Sequence, residues 1–230
     1  MENGRVVSCA GVRKRYGLGR PWVLKGIDAE VAAGQIVHVG GSNGAGKSTL
    51  LRILSGASVP TDGARELAPG AGVGYVPENT NPPRGLTAGR YLRHHVRLRG
   101  LSNGAGEEVE PLAVALRCEH FLSEPMTTLS KGSLRKFTLI QALLGAPRLL
   151  VLDEPFTGLD VDAQEVLAGL LAERARDGAA VVFSDHREGG RRMAATERWE
   201  IVAGVRREEE ARAPEVGGSD AEFVFWGGPA

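Results

Sequence analysis

The sequence predicts an α/β fold: a mainly parallel core sheet, an antiparallel β region ahead of it and an inserted helical region. Three stretches carry that prediction. GQIVHVG (34–40) is an apolar run that enters a glycine-rich loop and then the helix-forming segment TLLRILSG (49–56), a strand–loop–helix unit. LLVL (149–152) is continuously aliphatic rather than alternating, as in a strand covered on both faces of a parallel sheet. AAVVFSD (179–185) follows a helical stretch at 161–176 and adds a further strand.

The elements follow in order. Residues 4–40 alternate short apolar runs with turns such as AAGQ (32–35), as antiparallel strands do. The helix after the glycine-rich loop stops at Gly56, a glycine C-cap. Pro60-Thr61-Asp62-Gly63 is a turn signal, and GVGYVP (72–77) is a short strand. From about residue 80 to 144 helical signals replace strand signals, which predicts the helical insertion, with SNGAGEE (102–108) as an internal loop. LSKGSLRK (129–136) forms a turn entering a helix that stops at Gly145 and Pro147. After Pro155 come a helix at 161–176, the strand at 179–185, a helix from about Arg187 to Ala195, and a hairpin at WEIVAGV (199–205). The tail, 206–230, is first charged and then rich in Gly and Pro; AEFVFWG (221–227) reads either as an edge strand or as part of a disordered tail. No internal repeat is visible, and residues 1–230 are expected to form one domain.

GSNGAGKST (41–49) carries the most chemistry. It fits the phosphate-binding pattern G-x-x-x-x-G-K-[ST] with Gly41, Gly46, Lys47 and Ser48 in register. A loop that wraps a triphosphate must bring backbone N–H groups close to its oxygens, and glycines at 41, 44 and 46 permit that approach. Ser42, Asn43, Ala45 and Thr49 complete the cradle. Lys47 sets a point charge on the terminal phosphates, and the Ser48 hydroxyl suits Mg²⁺. The following helix aims its N-terminus at the phosphates.

Such a loop needs a carboxylate on a neighbouring strand to hold the metal. Asp153 supplies it at the C-terminal end of LLVL, where open α/β sheets place their ligands. Glu154, one residue on, is the candidate to orient or deprotonate an attacking water. Ser130 and Gly132, at the entry of the next helix upstream, form a second anion-binding device. One triphosphate held by one chain does not need two.

The order of phosphate loop, L-S-x-G turn, LLVLDEP and an Asp185-His186 pair resembles that of ATP-binding-cassette (ABC) ATPases, specifically the nucleotide-binding subunit of an ABC transporter. The likeness covers roughly residues 6–205. It implies the phosphate-loop NTPase cassette fold, ATP and Mg²⁺ as cofactors, and dimerisation around ATP. It implies that Tyr16 stacks on adenine, that Ser130 and Gly132 contact the γ-phosphate held by the opposite subunit, and that Gly158, Leu159 and Asp160 line the dimer seam. His186 corresponds to the histidine that contacts the γ-phosphate beside Glu154. Glu78 stands where the family often has Gln, and remains an oxygen ligand for Mg²⁺ or its water. The signature also departs from LSGGQ: Lys131 replaces a glycine, and Ser133, too short to reach a ribose, replaces the glutamine.

Composition bounds the partners. The 230 residues carry 28 basic and 28 acidic side chains, a balance that argues against nucleic acid. Arg84, Arg90, Arg93, Arg97 and Arg99, with His94 and His95, read as the solvated face of an amphipathic helix, or more sharply as a face for lipid headgroups or an acidic partner. Cys9 and Cys118 have no metal-ligand spacing and read as free thiols. No leader is apparent, and no apolar run approaches the ~18–20 residues that a membrane span requires. The expectation is therefore a cytoplasmic subunit, peripheral on the membrane through a separate integral membrane protein, as a homodimer or heterodimer. The alternatives are a soluble ATPase of the same type without a membrane partner and a non-catalytic ATP-binding switch. Resemblance to export-type subunits is analogy at the level of one helix and the LSKG variant.

Overall fold

The computed structural model describes residues 4–101, 106–185 and 193–208. Its strands are β1 (Arg5–Lys14), β2 (Leu24–Ala32), β3 (Ile36–Gly40), β4 (Asp62–Leu67), β5 (Val73–Val76), β6 (Leu149–Leu152), β7 (Ala180–Ser184), β8 (Glu197–Val202) and β9 (Val205–Glu208). The helices are α1 (Lys47–Ser55), α2 (Ala88–Leu98), α3 (Val109–Ala115), α4 (Lys131–Leu143) and α5 (Val161–Arg176). β2, β1 and β4 form an antiparallel sheet in that order. The second sheet runs β5-β6-β7-β3-β8-β9, parallel except for β9, which returns antiparallel to β8.

The parallel sheet is buried on both faces, and alternate side chains enter different cores. Leu149 and Val151 of β6 and Val37 and Val39 of β3 join α1 and the antiparallel sheet. Leu150 and Leu152 of β6, with Val181 and Phe183 of β7, join the helical insertion and α5. A polar residue anywhere in LLVL would be buried without water, which is why the run is unbroken. Helix α1 touches both sheets. Six of its nine residues are buried. It ends at Gly56 (φ 82°), whose N–H donates to the Ile53 carbonyl, and Arg65 of β4 donates to the Leu54 carbonyl at 2.7 Å.

The helical insertion is as expected in kind: α2, α3, single 3₁₀ turns at Glu119–Phe121 and Met126–Thr128, and α4. Phe137 and Ile140 of α4 are fully buried against Leu92, Leu112 and Leu116. The hairpin at 199–205 is β8–β9, with Ala203 (φ 49°) and Gly204 (φ 85°) in the left-handed turn that fits strand twist. Among the described residues no helix is long and apolar enough to cross a membrane.

Three expectations need correction. First, the strand bearing Asp153 does not neighbour the loop strand: β7 lies between β6 and β3. Second, Asp62 and Gly63 open strand β4 instead of closing a turn; a Cβ on Gly63 would lie 2.5 Å from the Gly11 carbonyl oxygen at the bulge in β1. Third, Arg99 leaves the basic run and turns inward. Its guanidinium donates to Val73 O at 2.6 Å and Gln141 O at 3.1 Å, tying the end of α2 to β5 and α4. Arg84, Arg90, Arg93 and Arg97 remain exposed. Residues 102–105 of the expected loop, most of the expected helix at 187–195, and the tail from 209 lie outside the described residues.

Candidate functional site

The loop between β3 and α1 holds Gly41 (φ 137°), Gly44 (φ 77°) and Gly46 (φ 115°) in conformations that favour glycine. At two of them space is also closed: a Cβ on Gly41 would lie 2.4 Å from Ile201 O, and one on Gly46 2.8 Å from Leu24 Cδ2. The β8–β9 turn supports the loop from outside, since Gly204 N–H donates to Ala45 O at 3.0 Å. Lys47 Nζ folds over its own loop, donating to Gly41 O at 2.7 Å and Ser42 O at 3.3 Å. The N-cap of α1 is Gly46, and no side chain caps the first turn. Its N–H groups therefore point at open space, which is where an anion binds.

That space is a cleft of about 370 Å³. Ser42, Asn43, Gly44, Gly46, Lys47, Ser48 and Thr49 line it together with Val23, Glu78 and Glu154. The two carboxylates come from the ends of β5 and β6. The structure thus gathers the loop, Glu78 and Glu154 although they lie far apart in sequence.

Behind Glu154 is a compact polar wall that sequence reading did not anticipate. Ser184, at the end of β7 and fully buried, donates its hydroxyl to Asp153 Oδ1 at 2.7 Å and accepts from Glu154 N–H at 3.1 Å. One residue of the intervening strand therefore sets both acids; the available signal was a lone serine ending an apolar run. Glu154 itself is buried and sits at φ 53°, an uncommon conformation for a side chain of that size. Thr157 Oγ1 is 3.5 Å from Glu154 Oε2. The Arg135 guanidinium of α4 reaches the backbone of the same wall, donating to Asp153 O and, at 2.6 Å, to Glu154 O. Burial lowers the pKa of Arg135, and the charges of Asp153, Glu154 and Glu78 oppose that shift.

The donor set suits a hard cation. Among the described residues Asp153 Oδ2 is buried without a hydrogen-bond partner, and Ser48 and Glu78 add oxygens at the cleft. Among the described residues no group of three or more His, Cys, Asp or Glu side chains converges as a metal cage.

Other expected site residues fall outside this cleft lining. Tyr16 is half exposed, its Oη 3.3 Å from Thr49 Oγ1 and its ring under Lys14 Nζ at 5.2 Å. Ser130 is exposed and caps α4, accepting from Ser133 N–H at 3.1 Å. The Ser133 hydroxyl turns back to Ser130 Oγ at 3.0 Å. Gly132 abuts the loop after Glu154: a Cβ there would lie 2.6 Å from Gly158 O. Asp160 caps α5 through the Ala163 N–H and pairs with Lys136 at 3.1 Å, and both contacts lower its pKa. Leu159 is buried. His186 lies outside the described residues.

The chain is similar to several known proteins. The family profile for "ABC transporter" matches residues 24–157. The zinc import ATP-binding protein ZnuC of Yersinia enterocolitica is 37% identical over 71% of this chain and 64% of its own length, so the chain spans about two thirds of that relative. The cytochrome c biogenesis ATP-binding export protein CcmA of Cupriavidus pinatubonensis is 37% identical over 74% of this chain and 78% of its own. Among solved structures, a dimeric ATP-binding cassette in a post-hydrolysis state with ADP and Pi superposes with a TM-score of 0.76 at 26% identity, covering 90% of this chain and 99% of that one.

Proposed function

The chain belongs to the ABC transporter family, and on that premise we propose that it binds and hydrolyses ATP as the nucleotide-binding subunit of a transporter, dimerising around ATP to drive a separate integral membrane subunit. The observation that carries this reading is the meeting, across one cleft, of an uncapped glycine loop with Glu78 and Glu154, next to a buried Asp153 carboxylate oxygen that has no hydrogen-bond partner among the described residues.

The loop's N–H groups take the phosphate oxygens, and Lys47 exchanges its loop carbonyls for the β/γ-phosphates. Ser48 and Asp153, with Glu78 beside them, hold the ion. Bound Mg²⁺ supplies charge neutralisation of the phosphate oxygens. Glu154, fixed by Ser184 and Arg135, accepts the proton of the attacking water, and His186 supports the γ-phosphate on the same side. Phosphoryl transfer passes through a loose transition state, so positioning and electrostatics carry most of the catalysis.

The Ser130 turn faces solvent in its own chain. In the proposed dimer it closes the nucleotide of the opposite copy, and Gly158, Leu159 and Asp160 line the seam. Tyr16 flanks the adenine beside Thr49. Relatives named for import and for export are equally similar to this chain, so direction and cargo are assigned to the membrane subunit. The subunit is peripheral on the inner membrane face. The test is Glu154→Gln: nucleotide binding persists while turnover collapses. Unchanged turnover removes Glu154 from the role. Recovery of the protein in the soluble fraction without any integral membrane protein bound would favour a soluble ATPase instead.

A further inference from the structure

We propose that Arg135 is a positioning residue for ATP hydrolysis, holding the Glu154 backbone to helix α4 so that the Ser130 turn and the water-handling carboxylate keep one fixed relation. This rests on the hydrolytic reading above.

Arg135 lies on the second turn of α4 and is 6% exposed. Its guanidinium bridges two strand ends. Nη2 donates to Asp153 O and Glu154 O, beyond β6, while Nη1 donates to Pro77 O and, at 3.4 Å, to Glu78 O, beyond β5. The β5–β6 ladder stops at the Val76–Leu152 pair, and Pro77, lacking an N–H, cannot extend it. A planar fork with several fixed donors suits this gap; a lysine ammonium, one point charge on a flexible stem, does not.

Two of the four carbonyls, those of Glu78 and Glu154, belong to residues lining the cleft. Glu154 is pinned on both sides of its Cα: Ser184 Oγ accepts from its N–H, and Arg135 donates to its carbonyl. Those contacts hold a backbone at φ 53° that an unsupported glutamate leaves readily. On the same helix, Gly132 meets the Gly158 carbonyl and Ser130 caps the first turn. Displacing α4 therefore displaces the Glu154 carboxylate, and small misplacements of a catalytic group cost about a hundredfold in rate.

The experiment compares wild type, Glu154→Gln, Arg135→Met and Arg135→Lys for Mg²⁺-ATP turnover, ATP affinity and melting temperature. The expected result for Arg135→Met is a kcat lower by about ten- to a hundredfold with ATP affinity within about threefold of wild type. Arg135→Lys keeps the charge yet recovers only part of that loss. A purely structural role would lower affinity, melting temperature and kcat together, and lysine would restore all three. The proposal is overturned if Arg135→Met turns over within about twofold of wild type, or loses kcat only in step with affinity. Should Arg135→Met fail to fold, Arg135→Lys carries the same criteria. Wild type without ATPase activity overturns the hydrolytic reading itself. Activity lost in Glu154→Gln but kept in Arg135→Met overturns the positioning role alone.

Discussion

The N-termini of α1 and α4 are both built to face anions, yet they differ in what they lack. The first turn of α1 has a glycine N-cap and no side-chain cap, and Lys47 and both cleft carboxylates surround it. The first turn of α4 is half-buried behind an exposed cap, Ser130, which already accepts from Ser133 N–H, with the Ser133 hydroxyl folded onto it. The α1 end is a receptor that its own chain nearly completes. The α4 end holds its own Ser130–Ser133 contact, which in the proposed dimer would give way to a phosphate oxygen of the opposite copy's nucleotide. On the proposed dimer, the difference gives one chain two anion devices, each serving a different copy's nucleotide.

The contrast can be broken at several points. The largest effect is expected from Glu154→Gln, because it removes the proposed general base and leaves the cradle intact. Turnover, followed by phosphate release, should fall by about 10²–10⁴-fold while ATP binding persists. Next is Lys47→Ala, which strips the α1 device of its charge. Loss of a charge-assisted hydrogen bond of about 1.5–3 kcal/mol should weaken ATP binding by roughly ten- to a hundredfold in calorimetry. Normal affinity would contradict the assignment. Ser130→Ala acts on the other end. It should cost about 1 kcal/mol through the lost cap, read as a lower melting temperature, and leave the ATP affinity of a single copy unchanged; weakened single-copy binding would mean that the two ends share one nucleotide. The smallest effect concerns the insertion that carries α4. His95 of α2 packs edge-on against Tyr91 at 4.6 Å, and its pKa is lowered by burial first and then by Arg99 and His94. The folded form therefore prefers neutral His95, with stability present above the ordinary histidine pKa of about 6.5 and lost as pH falls toward the depressed value. Thermal melts between pH 7.5 and 5.5 should show this loss, and His95→Gln should reduce it.

Much of the cleft was legible because its parts obey short rules. The loop pattern, the unbroken LLVL run and the acids at its end each follow from local chemistry. What stayed hidden depends on long-range partners. DGAREL forms β4 only because β1 pairs with it; its side chains are largely exposed, so it carries no periodic signal. The insertion of β7 between β3 and β6 is a matter of spatial order, which sequence order does not state. Arg99 and Arg135 look like ordinary charges on helices, and only the carbonyls they reach reveal them as clamps, one half-buried and one buried. Ser184 is one hydroxyl among many until the wall of Asp153 and Glu154 closes around it.

The most direct test joins the two ends. Ser130→Cys and Asn43→Cys, each placed in a Glu154→Gln background and mixed, present one engineered thiol on each device. Native Cys9 and Cys118 are buried, and burial raises their thiols to about 11 and about 12, so they stay out of the reaction at neutral pH. With a mild thiol oxidant added to both samples, the account predicts a disulfide between the two variants that forms with ATP and Mg²⁺ and not without nucleotide. ATP binding with no increase in cross-linking would contradict it.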